Sequence, residues 1–170
     1  GSFTADAACY ISISGGSVAL GAGGDGVDSN GSLYVSGGET YVSGPTNSAN
    51  GALDYMSTAE VTGGVFVAAG PTGMAQNFGA GSTQGAMLCS TGAQAGGTPV
   101  TLKDAAGAVL VSYTPAKAYE TVVISAPGIV AGGSYTLEAG GQTQTISMTS
   151  LIYGTGGGMG GMDGGRNQGG

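Results

Sequence analysis

Apolar and polar positions in the first half of the chain follow a frame of twelve residues that returns three times: ISGGSVALGAGG at 13–24, VSGGETYVSGPT at 35–46 and VTGGVFVAAGPT at 61–72. In each copy β-branched or aromatic residues flank a glycine pair, and another glycine follows six residues later. That grammar reads as strand, bend, strand, corner. The pair moves from Gly15 to Gly37 to Gly63, steps of 22 and 26 residues, which lie in the range of stacked repeats. Equivalent positions are then expected one above another at the inter-strand spacing of about 4.8 Å. The pattern predicts an all-β chain whose first part, 1–97, is a parallel β-helix of about four coils, the fourth built around TQGAMLCS at 83–90.

From Thr98 the period changes to two. Strands are expected at 100–102, 109–113, 120–125, 134–138 and 143–149, with turns at 104–107 and 139–141, a hairpin-rich antiparallel cap over 98–153. Such a cap would cover one end of the coil stack, where an open sheet edge invites association. The remainder, 154–170, is a glycine-rich tail carrying Met159, Met162, Asp163 and Arg166. Its composition is that of a flexible linker, although an ordered tail would imply that something holds it.

Composition narrows the function. Of 170 residues 38 are Gly and 5 Pro, close to the disordered range, and the periodicity is what argues for a fold. Ten acidic and three basic residues give a net charge of −7, so nucleic acid is not an expected partner. The absence of His removes the commonest general base and the commonest zinc ligand. No 18-residue apolar run suggests a membrane span, and no charged segment followed by an apolar one suggests a leader. The expectation is a mature secreted product, or a fragment lacking its leader and earlier coils.

Cys9 and Cys89 are too far apart for a Cys-x-x-Cys motif. In a coil stack they lie about 14 Å apart, beyond disulfide reach within one chain. They read as small buried apolar side chains, as partners in a bond between Cys89 of one subunit and Cys9 of the next, or as partners of a segment absent from the chain. Met74, Met87 and Met148 read as gap fillers. Glycine-rich stretches lack the Gly-Lys-Ser/Thr of a phosphate loop.

The candidate chemistry lies in the corners. Aligning Gly26, Gly51 and Gly73 places Asp28, Asp54 and Gln76 at nearly equivalent sites of successive coils, with Asp25 near Asn50. A column of carboxylates repels itself unless neutralised, and hard oxygen donors suit Ca²⁺. Asp25, Asp28, Asn30, Asn50 and Asp54 are the candidate ligands. The competing reading is that Asp, Asn and Gly simply favour tight corners. Asp25-x-x-Asp28-x-Asn30 is not an EF-hand loop, since no glutamate stands at its twelfth position. Tyr34, Tyr41 and Tyr55 either stack on sugar rings or belong to the core.

The runs GDGVDSNGSLYVSGG (24–38), YVSGPTNSANGALDY (41–55), GMAQ (73–76) and STQ (82–84), followed by VTLKD (100–104), SYTPAK (112–117), VVIS (122–125) and SYTL (134–137), resemble the secreted bacterial proteins usually labelled "carbohydrate-binding domain-containing protein". The resemblance covers most of residues 9–153. It implies a right-handed parallel β-helix, calcium along the coils and adhesion to cell-wall polysaccharides, cellulose or pectin-like acids, at the cell surface or outside it. Members of that group carry more N-terminal coils than this chain. Similar β-helices include pectate lyases, but lyase chemistry needs a strong base beside the calcium, and the coils contain no Arg or Lys. The expectation is therefore a non-catalytic extracellular binding protein in which calcium bridges protein and sugar carboxylates. The alternative is a self-assembling subunit, a homo-polymer built by head-to-tail stacking of coils.

Overall fold

The computed structural model describes residues 6–73 and 75–154, and all of its regular structure is strand. The expected tail beyond Gly154 and the gap filler Met74 lie outside the described residues. Three twelve-residue strands carry the repeated frame: β1 (Tyr10–Gly21), β3 (Ser32–Ser43) and β5 (Ala59–Gly70), with the short β2 (Val27–Ser29) and β4 (Leu53–Tyr55) between them. β1 pairs with β3 and β3 with β5, all parallel. Tyr10 stands opposite Ser32 and Leu33 opposite Ala59, which reproduces the steps of 22 and 26 read from the glycine pairs. β2 and β4 form a second parallel pair.

Each long strand bends at its glycine pair. The register slips there, from Ile13 opposite Val35 to Ser14 opposite Gly37, and again from Val35 opposite Val61 to Ser36 opposite Gly63. The second glycine of each pair, Gly16, Gly38 or Gly64, has φ of 80°, 79° or 82°, a conformation that costs a side chain but not glycine. The bulges stack because the frame repeats.

The rest of the chain departs from a simple stack. β6 (Ala86–Gln94), expected as a fourth coil on β5, does not touch it in the sheet. Between them runs β9 (Tyr119–Ser125), antiparallel to both, with Ser125 opposite Phe66 on one side and Ala86 on the other. The six-stranded order is β1-β3-β5-β9-β6-β12, where β12 (Ile152–Tyr153) is parallel to β6. A strand of the expected cap thus joins the sheet of the repeated strands, across the boundary drawn at residue 97. The physical reason lies in β9 itself: residues 121–126 are all buried, so both faces need cover, which only a central position gives. β7 (Val100–Asp104), β8 (Val109–Tyr113), β10 (Ser134–Ala139) and β11 (Gln142–Ser147) form the expected antiparallel sheet, in the order β11-β10-β7-β8.

Two cores flank the six-stranded sheet. On one face Val67, Ala69, Met87, Cys89, Val122 and Ile124 meet Val100, Leu102, Tyr135, Leu137 and Ile146 of the antiparallel sheet. On the other, Leu33, Val35, Val42, Val61, Phe66 and Val123 meet Val27 and Leu53 of the short pair and Phe78. Phe66 and Phe78 pack edge to face with centroids 5.1 Å apart. Alternation along β5 serves both cores: Phe66 and Ala68 face one, Val67 and Ala69 the other. Met87 and Met148 are fully buried in the first core, as gap fillers should be.

Candidate metal centre

The corner chemistry follows from the short parallel pair. Val27 and Leu53 point into the core, so period-two alternation turns their neighbours Asp28 and Asp54 outward. Asp28 stands directly opposite Asp54 in the register. Asp25, three residues before Asp28, anchors the corner by accepting a hydrogen bond from the Gly51 amide at 2.8 Å. The backbone continues the ladder there, Gly26 N–H to Gly51 O and Val27 N–H to Ala52 O, each 3.0 Å. One oxygen from each of Asp25, Asp28 and Asp54 comes within 4.8 Å of the others.

That spacing suits one hard cation. Calcium–oxygen distances of roughly 2.3–2.6 Å place two ligand oxygens up to about 5 Å apart across the ion. No Lys or Arg pairs with these carboxylates among the described residues, where the ion pair found is Lys103 with Glu138. Lys117 donates to the Ala22 carbonyl at 2.6 Å instead. The charge therefore falls back on the carboxylates themselves: desolvation, then the charges of Asp25 and Asp28, push the Asp54 carboxyl up to about 6, against a lowering contribution from the Tyr55 amide. Burial is the larger cause of the rise; the two neighbouring carboxylates add to it, and their share is what a cation relieves.

The other expected ligands, Asn30 and Asn50, have hydrogen bonds of their own. The Asn50 side chain donates to Asn47 Oδ1 at 2.9 Å, within its own turn. Asn30 is exposed, and its backbone carbonyl accepts the Asp6 amide. Among the described residues no hydrogen bond joins either asparagine side chain to the three carboxylates. Gln76, aligned with Asp28 and Asp54 in the sequence, has another task. Its Oε1 accepts the Tyr55 amide at 3.0 Å and its Nε2 faces the Tyr55 carbonyl at 3.5 Å, so one side chain serves as a third strand on the β4 edge.

The tyrosines also part company. Tyr34 is 40% exposed and meets Tyr10, 65% exposed, edge to face at 6.3 Å. Tyr10 was not singled out by sequence; its signal was its place two residues before the Ser12 that pairs with Tyr34. Tyr41 is half-buried with its ring 5.1 Å from Tyr113, and its hydroxyl donates to Glu39. Tyr55 turns toward the core and donates to the Asn77 carbonyl. Of the three expected sugar platforms, Tyr34 alone offers an open ring. Of the cysteines, Cys89 is buried with its thiol pushed up to about 12 by desolvation, whereas Cys9 is exposed. The expectation of burial holds for Cys89 only, and a bond between the two across subunits would require Cys89 to leave the core.

No protein-family profile, curated protein or solved structure matches the chain. The likeness to carbohydrate-binding proteins therefore rests on the quoted residues alone.

Proposed function

We propose that this chain is a non-catalytic extracellular binding protein in which residues 10–84 form turns of a right-handed parallel β-helix, and a calcium ion at Asp25, Asp28 and Asp54 bridges to the carboxylates of an acidic cell-wall polysaccharide. The single observation that supports the reading is the convergence of three carboxylates from two successive turns, with Asp28 opposite Asp54 and no basic residue pairing with them among the described residues. Three carboxylate oxygens leave several of the six to eight positions around Ca²⁺ to water or to sugar carboxylates. A protein of net charge −7 would otherwise repel such a glycan. The two parallel stacks, β1-β3-β5 and β2-β4, support the helical turns.

The test is calcium titration by calorimetry with parallel retention on immobilised polygalacturonate. Wild type should bind calcium and be retained only when the ion is present, and Asp28→Asn with Asp54→Asn should lose both. Retention unchanged by chelator would remove calcium from the account. Calcium binding without retention would leave the ion structural.

A further inference from the structure

Two Asn-Gly dipeptides lie in the corners, Asn30-Gly31 after β2 and Asn50-Gly51 before β4; the other described asparagines, Asn47 and Asn77, precede Ser48 and Phe78. An asparagine before glycine is open to a covalent reaction that needs no cofactor: the glycine nitrogen, unhindered by a side chain, attacks the asparagine Cγ and closes a cyclic imide. The fold treats the two pairs differently. At Asn30 the connecting peptide is pinned at both ends, since the Asn30 carbonyl accepts the Asp6 amide at 3.1 Å and the Gly31 N–H donates to the Ser29 hydroxyl at 3.1 Å. The Cys9 and Asp6 carbonyls also fill the space where a Cβ on Gly31 would stand. Ring closure turns that peptide and breaks its bonds. At Asn50, among the described residues, no hydrogen bond reaches the carbonyl, and the Gly51 N–H donates to a carboxylate, Asp25 Oδ1, at 2.8 Å. Asn50 is partly exposed, so water reaches it.

We propose that Asn50 is a site of self-modification, converted to aspartate and isoaspartate by attack of the Gly51 nitrogen with Asp25 as its base. Asp25 Oδ1 takes the Gly51 amide proton as the bond from nitrogen to Cγ forms; the Cγ–Nδ2 bond then breaks, and Nδ2 leaves as ammonia with that proton. Water adds to either imide carbonyl and opens the ring, and the Gly51 nitrogen recovers its hydrogen from that water. Nothing is oxidised or reduced. The carboxylate at Gly51 is a stronger proton acceptor than the hydroxyl that Gly31 faces. Asp25 and Gly51 are 26 residues apart in sequence, so base and nucleophile meet only in the folded chain. The departing nitrogen has its own acceptor, Asn47 Oδ1, at 2.9 Å. Each conversion adds a negative charge to the corner that holds Asp25, Asp28 and Asp54, and the isoaspartate product lengthens the main chain by a methylene. The inference rests on the Asp25–Gly51 hydrogen bond and does not depend on calcium or polysaccharide binding.

The test holds the whole protein in neutral buffer with chelator and follows positions 30 and 50 by peptide mass spectrometry and by enzymatic methyl labelling of isoaspartate. Asn50 should convert at least tenfold faster than Asn30, and faster than Asn50 of the same chain unfolded in urea, where the two dipeptides should react alike. Asp25→Ala should slow conversion at Asn50 at least tenfold and leave Asn30 unchanged. Asp25→Glu, which returns a carboxylate, should restore part of the rate. An Asn50 rate that Asp25→Ala does not lower, or an Asn30 that converts as fast, overturns the proposal. So does a folded chain that converts Asn50 no faster than the unfolded one, because the hydrogen bond would then protect the glycine nitrogen. Should Asp25→Ala fold poorly, the comparison of folded and unfolded wild type decides.

Discussion

Thr40 shows how finely the inner face of the sheet is set. It lies between Val18 and Phe66 in the register, is fully buried, and its hydroxyl has no hydrogen-bond partner. A buried unpaired hydroxyl costs on the order of 1–3 kcal/mol, so Thr40→Val should raise unfolding stability by about 1 kcal/mol in denaturant titration. A loss would mean that the hydroxyl is satisfied by trapped water. Asp54 carries the opposite kind of tension, and its sign can be worked out. Its folded pKa, about 6, lies above the ordinary carboxyl value of 3.8, so the folded state holds the proton more tightly than the unfolded chain. In chelator, its contribution therefore improves as pH falls from 7 through 6 and levels off below about 4. Asp54→Asn should melt above wild type at pH 7 in chelator, and the gap should close by pH 4. In calcium the order should reverse at pH 7, because the ion needs the ionised carboxylate. Melting curves of both proteins across that range, with and without the ion, check all three statements.

At the level of elements, side chains finish what strands begin. Gln76 closes the β4 edge, and Asn77 next to it fastens β12: its Nδ2 donates to the carbonyls of Tyr153 and Gly154 at 2.8 and 2.9 Å, and its Oδ1 accepts the Phe78 amide. The latch joins positions 76 and 77 residues apart in sequence and holds β12 on β6. Asn77→Ala should cost about 2 kcal/mol, since the Phe78 amide is buried while the two carbonyls lie nearer water. Exchange should accelerate in 151–154 before elsewhere; uniform acceleration would show that the latch acts on the whole fold. The glycine-pair strands and the Asp28–Asp54 column were legible in sequence because each is written twice or more in register, and a repeated local rule survives misjudged boundaries. Gln76 and Asn77 were not legible as an edge cap and a latch. Aligned with two aspartates, Gln76 looked like a third member of the column, and nothing local shows that an amide can replace a strand.

For the whole molecule the decisive element is β9, and it was legible only in retrospect. The period-two pattern assigns the strand expected at 120–125 to a hairpin-rich cap, whereas the uninterrupted burial of 121–126 is the mark of a central strand. Its insertion means that both cores depend on a segment from the second half: Val122 and Ile124 face the antiparallel sheet, Val123 joins the core of the repeated strands, and its edges satisfy β5 and β6 at once. The repeats and the antiparallel sheet should therefore unfold together despite their different grammar. A fragment of residues 1–97, which the change of pattern at Thr98 would suggest as a domain, loses the strand between β5 and β6 and exposes Phe66, Val67 and Met87, all now fully buried. Burying three such side chains is worth roughly 5–9 kcal/mol, comparable to the whole stability of a domain this size. The fragment should be unfolded or aggregated by circular dichroism and gel filtration, and the intact chain should melt in a single transition. Two separated transitions, or a folded fragment, would show that the coils stand without β9 and that the boundary at residue 97 is real.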